Sequence, residues 1–147
     1  MTVHQLVYIS AATNEMPASA LAELLRKARA NNTRAGITGL LIHHSGSFMQ
    51  VLEGPESSVE SLFHRIQADP RHRRVVVLGR ESVKRATFPD WSMGLVDRAS
   101  AQLASLPGFK DFSGREPDYA DLAEVKTRAS YLVEAFAVGR FRQFVTV

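Results

Sequence analysis

The sequence predicts an α+β domain in which one sheet carries two helices on one of its faces. Three observations carry this prediction. Segments 17–32 and 55–69 each place apolar residues at offsets i, i+3, i+4 and i+7, the pattern of a helix with one buried face. Around them lie short runs rich in aliphatic, β-branched and aromatic residues, bounded by Gly, Pro or Ser, which read as strands. Two of those runs, GITGLLIHH and SFMQVLE, meet at the turn HSGS and should pair as a hairpin.

The first strand is expected over residues 5–11 (QLVYISA). The first helix follows, with the stripe Leu21, Leu24, Leu25 and Ala28; Pro17 and Ser19 suit its start, and Asn31 or Asn32 its end. After the hairpin, the second helix repeats the stripe with Val59, Leu62, Phe63 and Ile66. Asp69-Pro70 should end it, because a residue before proline avoids the α region. RVVVLGRE is a fourth strand and WSMGLVD, after FPD, a fifth. The order β-α-β-β-α-β with a fifth strand is the split βαβ, ferredoxin-like arrangement.

Residues 1–97 should therefore form the core, and 98–147 a helical extension of the same domain. In that extension, 97–106 read as a short helix and LPGFKDFSGREPD as a connection. Over 117–138, Leu122, Val125, Ala129, Leu132, Val133 and Phe136 make a stripe expected to cover the other face of the sheet.

Composition narrows the function. The chain has 147 residues, 45% hydrophobic and 22% charged, which suits one globular domain. It has no cysteine, so disulfides, thiolate nucleophiles and Cys-based zinc sites are excluded. It contains neither an 18-residue apolar run nor the layout of a signal peptide, so a cytoplasmic protein without membrane contact is expected. The net charge is +3, but the only dense basic run is Arg71 to Arg74 (RHRR), which reads as a solvated turn or strand entry; no nucleic-acid partner is expected. The five histidines are dispersed, and HExxH, P-loop, GxGxxG and GxSxG motifs are absent, so neither a metal site nor an enzyme is expected.

The polar residues within apolar elements say more. Phe48, Gln50 and Leu52 share one face of their strand, so Gln50 projects from an apolar surface. A buried amide left without partners costs about 1–3 kcal/mol. Tyr8 lies with Leu6 and Ser10 on one face of the first strand. Taken singly, Tyr8 reads as a core aromatic, Gln50 as an amide tied to backbone, Asn31 and Asn32 as helix-end caps, and Arg65 with Asp69 as a surface ion pair. Taken together, they fit a flat ligand between the helices and the sheet. Gln50 and the asparagines would meet its polar edges, Phe48 and the helix-one leucines would form walls, and Arg65 at the mouth would meet an anionic tail.

The stretches LVYIS, NNTRAGITGLL, GSFMQVLEG, ADPRH and FPDWSMG, in this order and at these intervals, resemble the BLUF family of blue-light sensors that use FAD. The resemblance runs from Leu6 to about Val96. It implies that Tyr8 is the redox-active tyrosine and Gln50 the switching glutamine. It implies that Asn32 bonds the flavin edge with Asn31 beside it, and that Leu24, Leu25 and Phe48 line the ring pocket. Arg65 and Asp69 would lie near the ribityl and phosphate part, and Trp91 and Met93 form the Trp-x-Met pair near Gln50.

The implied mechanism is light-driven electron loss from Tyr8. Its proton follows through the Gln50 amide, which is left rearranged by rotation or tautomerisation and bonds the flavin carbonyl more strongly. The signal would leave through the fifth strand and C-terminal helices to an unidentified protein in trans or to a homo-oligomer, as in short single-domain members. GRFRQFVTV is a contact surface or packs on the sheet. Two other classes share the fold: an acylphosphatase-like enzyme, which lacks support because no glycine-rich loop follows the first strand, and a metabolite-binding regulatory module.

Overall fold

The computed structural model describes residues 2–13, 17–44, 46–87, 94–97, 109–110, 129 and 132. Within these, β1 (Val3–Ala12), α1 (Ala18–Ala35), β2 (Thr38–His44), β3 (Ser47–Gly54), α2 (Glu56–Gln67), β4 (His72–Val83), β5 (Gly94–Asp97) and β6 (Phe109–Lys110) follow one another. The sheet order is β4-β1-β3-β2-β5-β6. The first four strands pair antiparallel, the ferredoxin-like arrangement, while β5 runs parallel to β2 and β6 parallel to β5. β6 corrects the sequence reading of LPGFKDFSGREPD as a plain connection; two residues are too short to show a strand period.

Helix α1 starts after Pro17, as expected, but runs past the asparagines to Ala35. Its stop is Gly36, which takes the left-handed conformation (φ 73°) and donates its N–H to Asn32 O and Thr33 O. Asn31 and Asn32 are thus last-turn residues rather than terminal caps. Helix α2 ends at Gln67, just before Asp69-Pro70.

Leu6 and Tyr8 of β1, Leu41 of β2, and Phe48 and Leu52 of β3 face the helices. They form one core with Ile37, Leu25 of α1, and Val59 and Phe63 of α2. Leu24, Leu62 and Ile66 pack around it half-buried. Strands β2 and β3 approach so closely that a Cβ on Gly39 would lie 1.9 Å from Val51 O, so only glycine fits there.

Leu40, Ile42, Val7, Ile9, Met49 and Val51 point the other way and are equally buried. On this face the helical residues Ala129 and Leu132 border Gln5, Val7, Gly79 and Glu81. The remaining predicted C-terminal elements, the GRFRQFVTV end, Trp91 and Met93 lie outside the described residues. Among the described residues, no helix is long and apolar enough to cross a membrane.

Candidate functional site

β1 and β3 lie in the interior of the sheet, and their register sets Tyr8 directly opposite Gln50. On its other side Gln50 opposes Leu41 of β2. Side chains so paired stand about 4.5–5.5 Å apart at Cβ, within reach of one another. The Tyr8 hydroxyl donates to Gln50 Oε1 at 2.5 Å, with both residues buried, at 3% and 7% exposure. Gln50 therefore meets the tyrosine as well as an open cavity.

The cavity lies between α1, α2 and the sheet and measures about 280 Å³. That is near the lower end of small-molecule sites, which run from about 300 Å³ upward. Tyr8, Leu24, Leu25, Asn31, Asn32, Phe48, Gln50, Arg65 and Asp69 all line it, so the structure brings together every described candidate from the sequence. Helical spacing explains the α1 contribution. Leu24, Ala28 and Asn31, and Leu25, Ala28 and Asn32, recur at i, i+4 (or i+3) and i+7, so one face carries apolar wall and amide together. Asn32 is 1% exposed, whereas Asn31 is exposed and its Oδ1 accepts from Arg34 Nη2 at 2.8 Å.

Lys27, Ala28, Leu41, Leu62, Ile66, Arg71 and His72 also line the cavity and were not among the expected site residues. Lys27 and Ala28 could have been found from the helical spacing that joins Leu24 to Asn31. His72 depends on a β-bulge. The β1–β4 register slips between Ile9 and Ala11, where Arg74 takes a positive φ of 55°. The extra residue turns His72 toward the helix face, the side that Val75 and Val77 share, and leaves Arg73 and Arg74 exposed. The RHRR run is thus a strand entry with its three arginines exposed and His72 turned to the cavity.

His72 is fixed at both ring nitrogens. Nε2 bonds Ile66 O, and a carbonyl only accepts, so Nε2 carries hydrogen; Nδ1 lies 2.9 Å from Ser10 Oγ. The ring stands edge-on to Tyr8 at 6.1 Å, and the Phe63 ring lies 5.5 Å from Tyr8 on another side. These contacts hold the phenol in one orientation.

Electrostatics keep Tyr8 protonated. Burial pushes its phenol well above the ordinary value of 10.0, and the nearby Asp69 charge adds to this. The Asp69 carboxylate is itself held below its usual range by hydrogen bonds from Arg71, whose side chain reaches it at 2.5 Å and whose backbone N–H reaches it at 2.9 Å. Asp69 lies beyond the end of α2, so its partner is Arg71 and not the Arg65 four residues earlier, as the sequence reading had it.

The comparisons with known proteins agree with this geometry. The family described as sensors of blue-light using FAD, BLUF, matches residues 3–94. The photoactivated adenylate cyclase subunit beta of Euglena gracilis is 36% identical over 111 residues, 75% of this chain and 13% of that protein. The chain thus spans about an eighth of the length of such curated relatives. Among solved structures, BlrB, a BLUF protein in its dark state, superposes with a TM-score of 0.64 at 36% identity over 72% of this chain and 79% of that one. Klebsiella pneumoniae BlrP1 in a calcium and cyclic diGMP complex gives 0.74 at 31% identity, over 93% of this chain and 34% of that one. The family match, spanning more than half of the chain, identifies the protein as a member of the BLUF family of blue-light sensors, with FAD as its cofactor.

Proposed function

We propose that this chain senses light through the hydrogen bond between Tyr8 and Gln50, and that the cavity beside them holds the flavin ring. The donor set suits that group: apolar walls from Leu24, Leu25, Phe48 and Ile66, amides from Gln50 and Asn32 at the edges, and Lys27, Arg65 and Arg71 toward an anionic tail. The observation that carries the reading is the Tyr8–Gln50 bond, placed inside that cavity.

When bound, the flavin supplies the blue absorption and an excited-state acceptor for one electron. Tyr8 loses an electron and with it most of its hold on the phenolic proton. That proton has a path to Gln50 Oε1 along the 2.5 Å bond. An amide carries a donor and an acceptor on one pivot, so return of the electron can leave it rotated or tautomerised and its bonds exchanged. Phe63 and His72 hold the phenol ring while this happens, so the amide rather than the ring changes place. No substrate is turned over.

Residues 1–97 form the sensor core, and 98–147 extend it within the same domain. Output passes along β5, parallel to β2, into the C-terminal residues, and the recipient is another protein or a second copy of the chain. The test is an absorption spectrum of the purified protein in darkness and under blue light. A flavin band that shifts slightly to the red and relaxes back supports the reading; a band that only bleaches overturns it.

A further inference from the structure

Behind the photoactive pair, on the opposite face of the sheet, lies a second buried polar group. Gln5 precedes Tyr8 by three residues on β1, and Glu53 follows Gln50 by three on β3. The odd spacing turns both away from the cavity. They oppose one another in register just as Tyr8 and Gln50 do. Gln5 Nε2 donates to Glu53 Oε2 at 2.9 Å and to Thr87 Oγ1 at 3.0 Å. The Thr87 backbone N–H donates to the same Glu53 oxygen at 2.7 Å. Gln5, Glu53 and Thr87 are 2%, 1% and 0% exposed.

Thr87 belongs to neither β1 nor β3. It follows the end of β4 at Val83, and the chain runs from it to β5 at Gly94. Gln5 also borders a void of about 10 Å³ that Ala129 and Leu132 of the C-terminal helix help to line. Among the described residues, the network of Gln5, Glu53 and Thr87 therefore touches both strands of the photoactive pair, the approach to β5 and the surroundings of Ala129 and Leu132.

We propose that the Gln5–Glu53–Thr87 network couples the Tyr8–Gln50 pair to the output segment, as a set of positioning residues. The proposal rests on the photoactive reading of Tyr8 and Gln50. β1 and β3 are laced through eight register pairs, so a slide of one strand past the other at Tyr8–Gln50 is repeated three residues along, at Gln5–Glu53. N–H···O bonds run from about 2.7 to 3.2 Å, so a displacement of a few tenths of an ångström there strains one of the two bonds that the Gln5 amide donates. Both acceptors are tied to Thr87, one through its hydroxyl and one through its backbone N–H. In a buried interior of low dielectric such a network has discrete arrangements rather than a continuum.

The test is amide hydrogen exchange of the full chain with its flavin, dark and under blue light, in the parent, Gln5→Leu and Glu53→Gln. Gln5→Leu should keep the red shift while the light-minus-dark exchange difference over residues 84–97 falls by about tenfold, an ordinary size for coupling between sites. Glu53→Gln keeps an oxygen that accepts both N–H bonds and should preserve most of that difference. A merely structural role would raise dark-state exchange and leave the light response in place. A Gln5→Leu protein that responds to light as the parent does overturns the coupling and leaves the photoreaction standing. A parent without a red shift overturns the photoactive reading, and the coupling with it. Should Gln5→Leu fail to fold, Thr87→Val removes only the hydroxyl acceptor and is judged by the same outcomes.

Discussion

Tyr8 and Gln50 face each other across β1 and β3, joined by a 2.5 Å hydrogen bond in which the phenol donates and the amide carbonyl accepts. The pair sits in the interior of the sheet, with a cavity on its helix side and apolar core along both strands. The amide on this apolar strand face thus has its carbonyl bonded to the phenol.

Gln50→Leu should bind flavin and lose the reversible red shift, since leucine can neither accept from Tyr8 nor exchange bonds. The buried phenol then lacks its acceptor, so the fold should lose about 1–3 kcal/mol. Absorption spectra and urea unfolding of the variant check both parts. A parent-like light response in Gln50→Leu would remove Gln50 as the switch.

Arg65 and Arg71 reach the cavity from the end of α2 and the turn after it. If they hold an anionic tail, Arg65→Ala and Arg71→Ala should each weaken flavin retention by about 1 kcal/mol, or roughly fivefold. Flavin release during dialysis measures it. Unchanged retention in Arg65→Ala would take that residue out of the binding set.

Phe63 is buried beneath Tyr8 and Arg80, whose guanidinium lies 5.4 Å from the Phe63 ring centre. Phe63→Ala removes a full aromatic side chain from the core and should cost about 3–5 kcal/mol. Chemical denaturation gives the figure, and a loss under 1 kcal/mol would contradict the packing described.

The helices and the hairpin were legible because each repeats a period of 3.6 or 2 over enough residues to stand out. The end of α1 was misjudged because Gly36 looks equally well like the first residue of the next strand, yet its left-handed backbone makes it the helix stop. The site was legible where amides interrupt apolar stripes, at Asn32 and Gln50. His72 was quoted within ADPRH but escaped as a site residue because its place depends on the bulge at Arg74, and Arg71 because its place depends on the bonds it makes to Asp69. The Gln5–Glu53–Thr87 network escaped for a similar reason: its third member comes from 34 residues beyond the second.

The buried phenol also makes stability depend on alkaline pH. Above the ordinary value of 10.0 an unfolded chain loses the Tyr8 proton while the folded chain keeps it, so the folded state binds more protons. Stability from this group is complete below pH 10 and falls by about 1.4 kcal/mol per pH unit above it. The stability of the parent relative to Tyr8→Phe should be level from pH 7 to 9.5 and decline from pH 10 to 11, as read from urea midpoints. A level difference throughout would mean that Tyr8 titrates as if exposed.

The light-minus-dark absorption spectrum of Tyr8→Phe, recorded beside that of the parent, tests the central claim most directly. The substitution removes the donor and the proton at one oxygen and leaves the ring and the cavity walls in place. The account predicts a flavin-loaded variant with no reversible red shift next to a parent that shows one. A Tyr8→Phe protein that shifts and recovers as the parent does would contradict it.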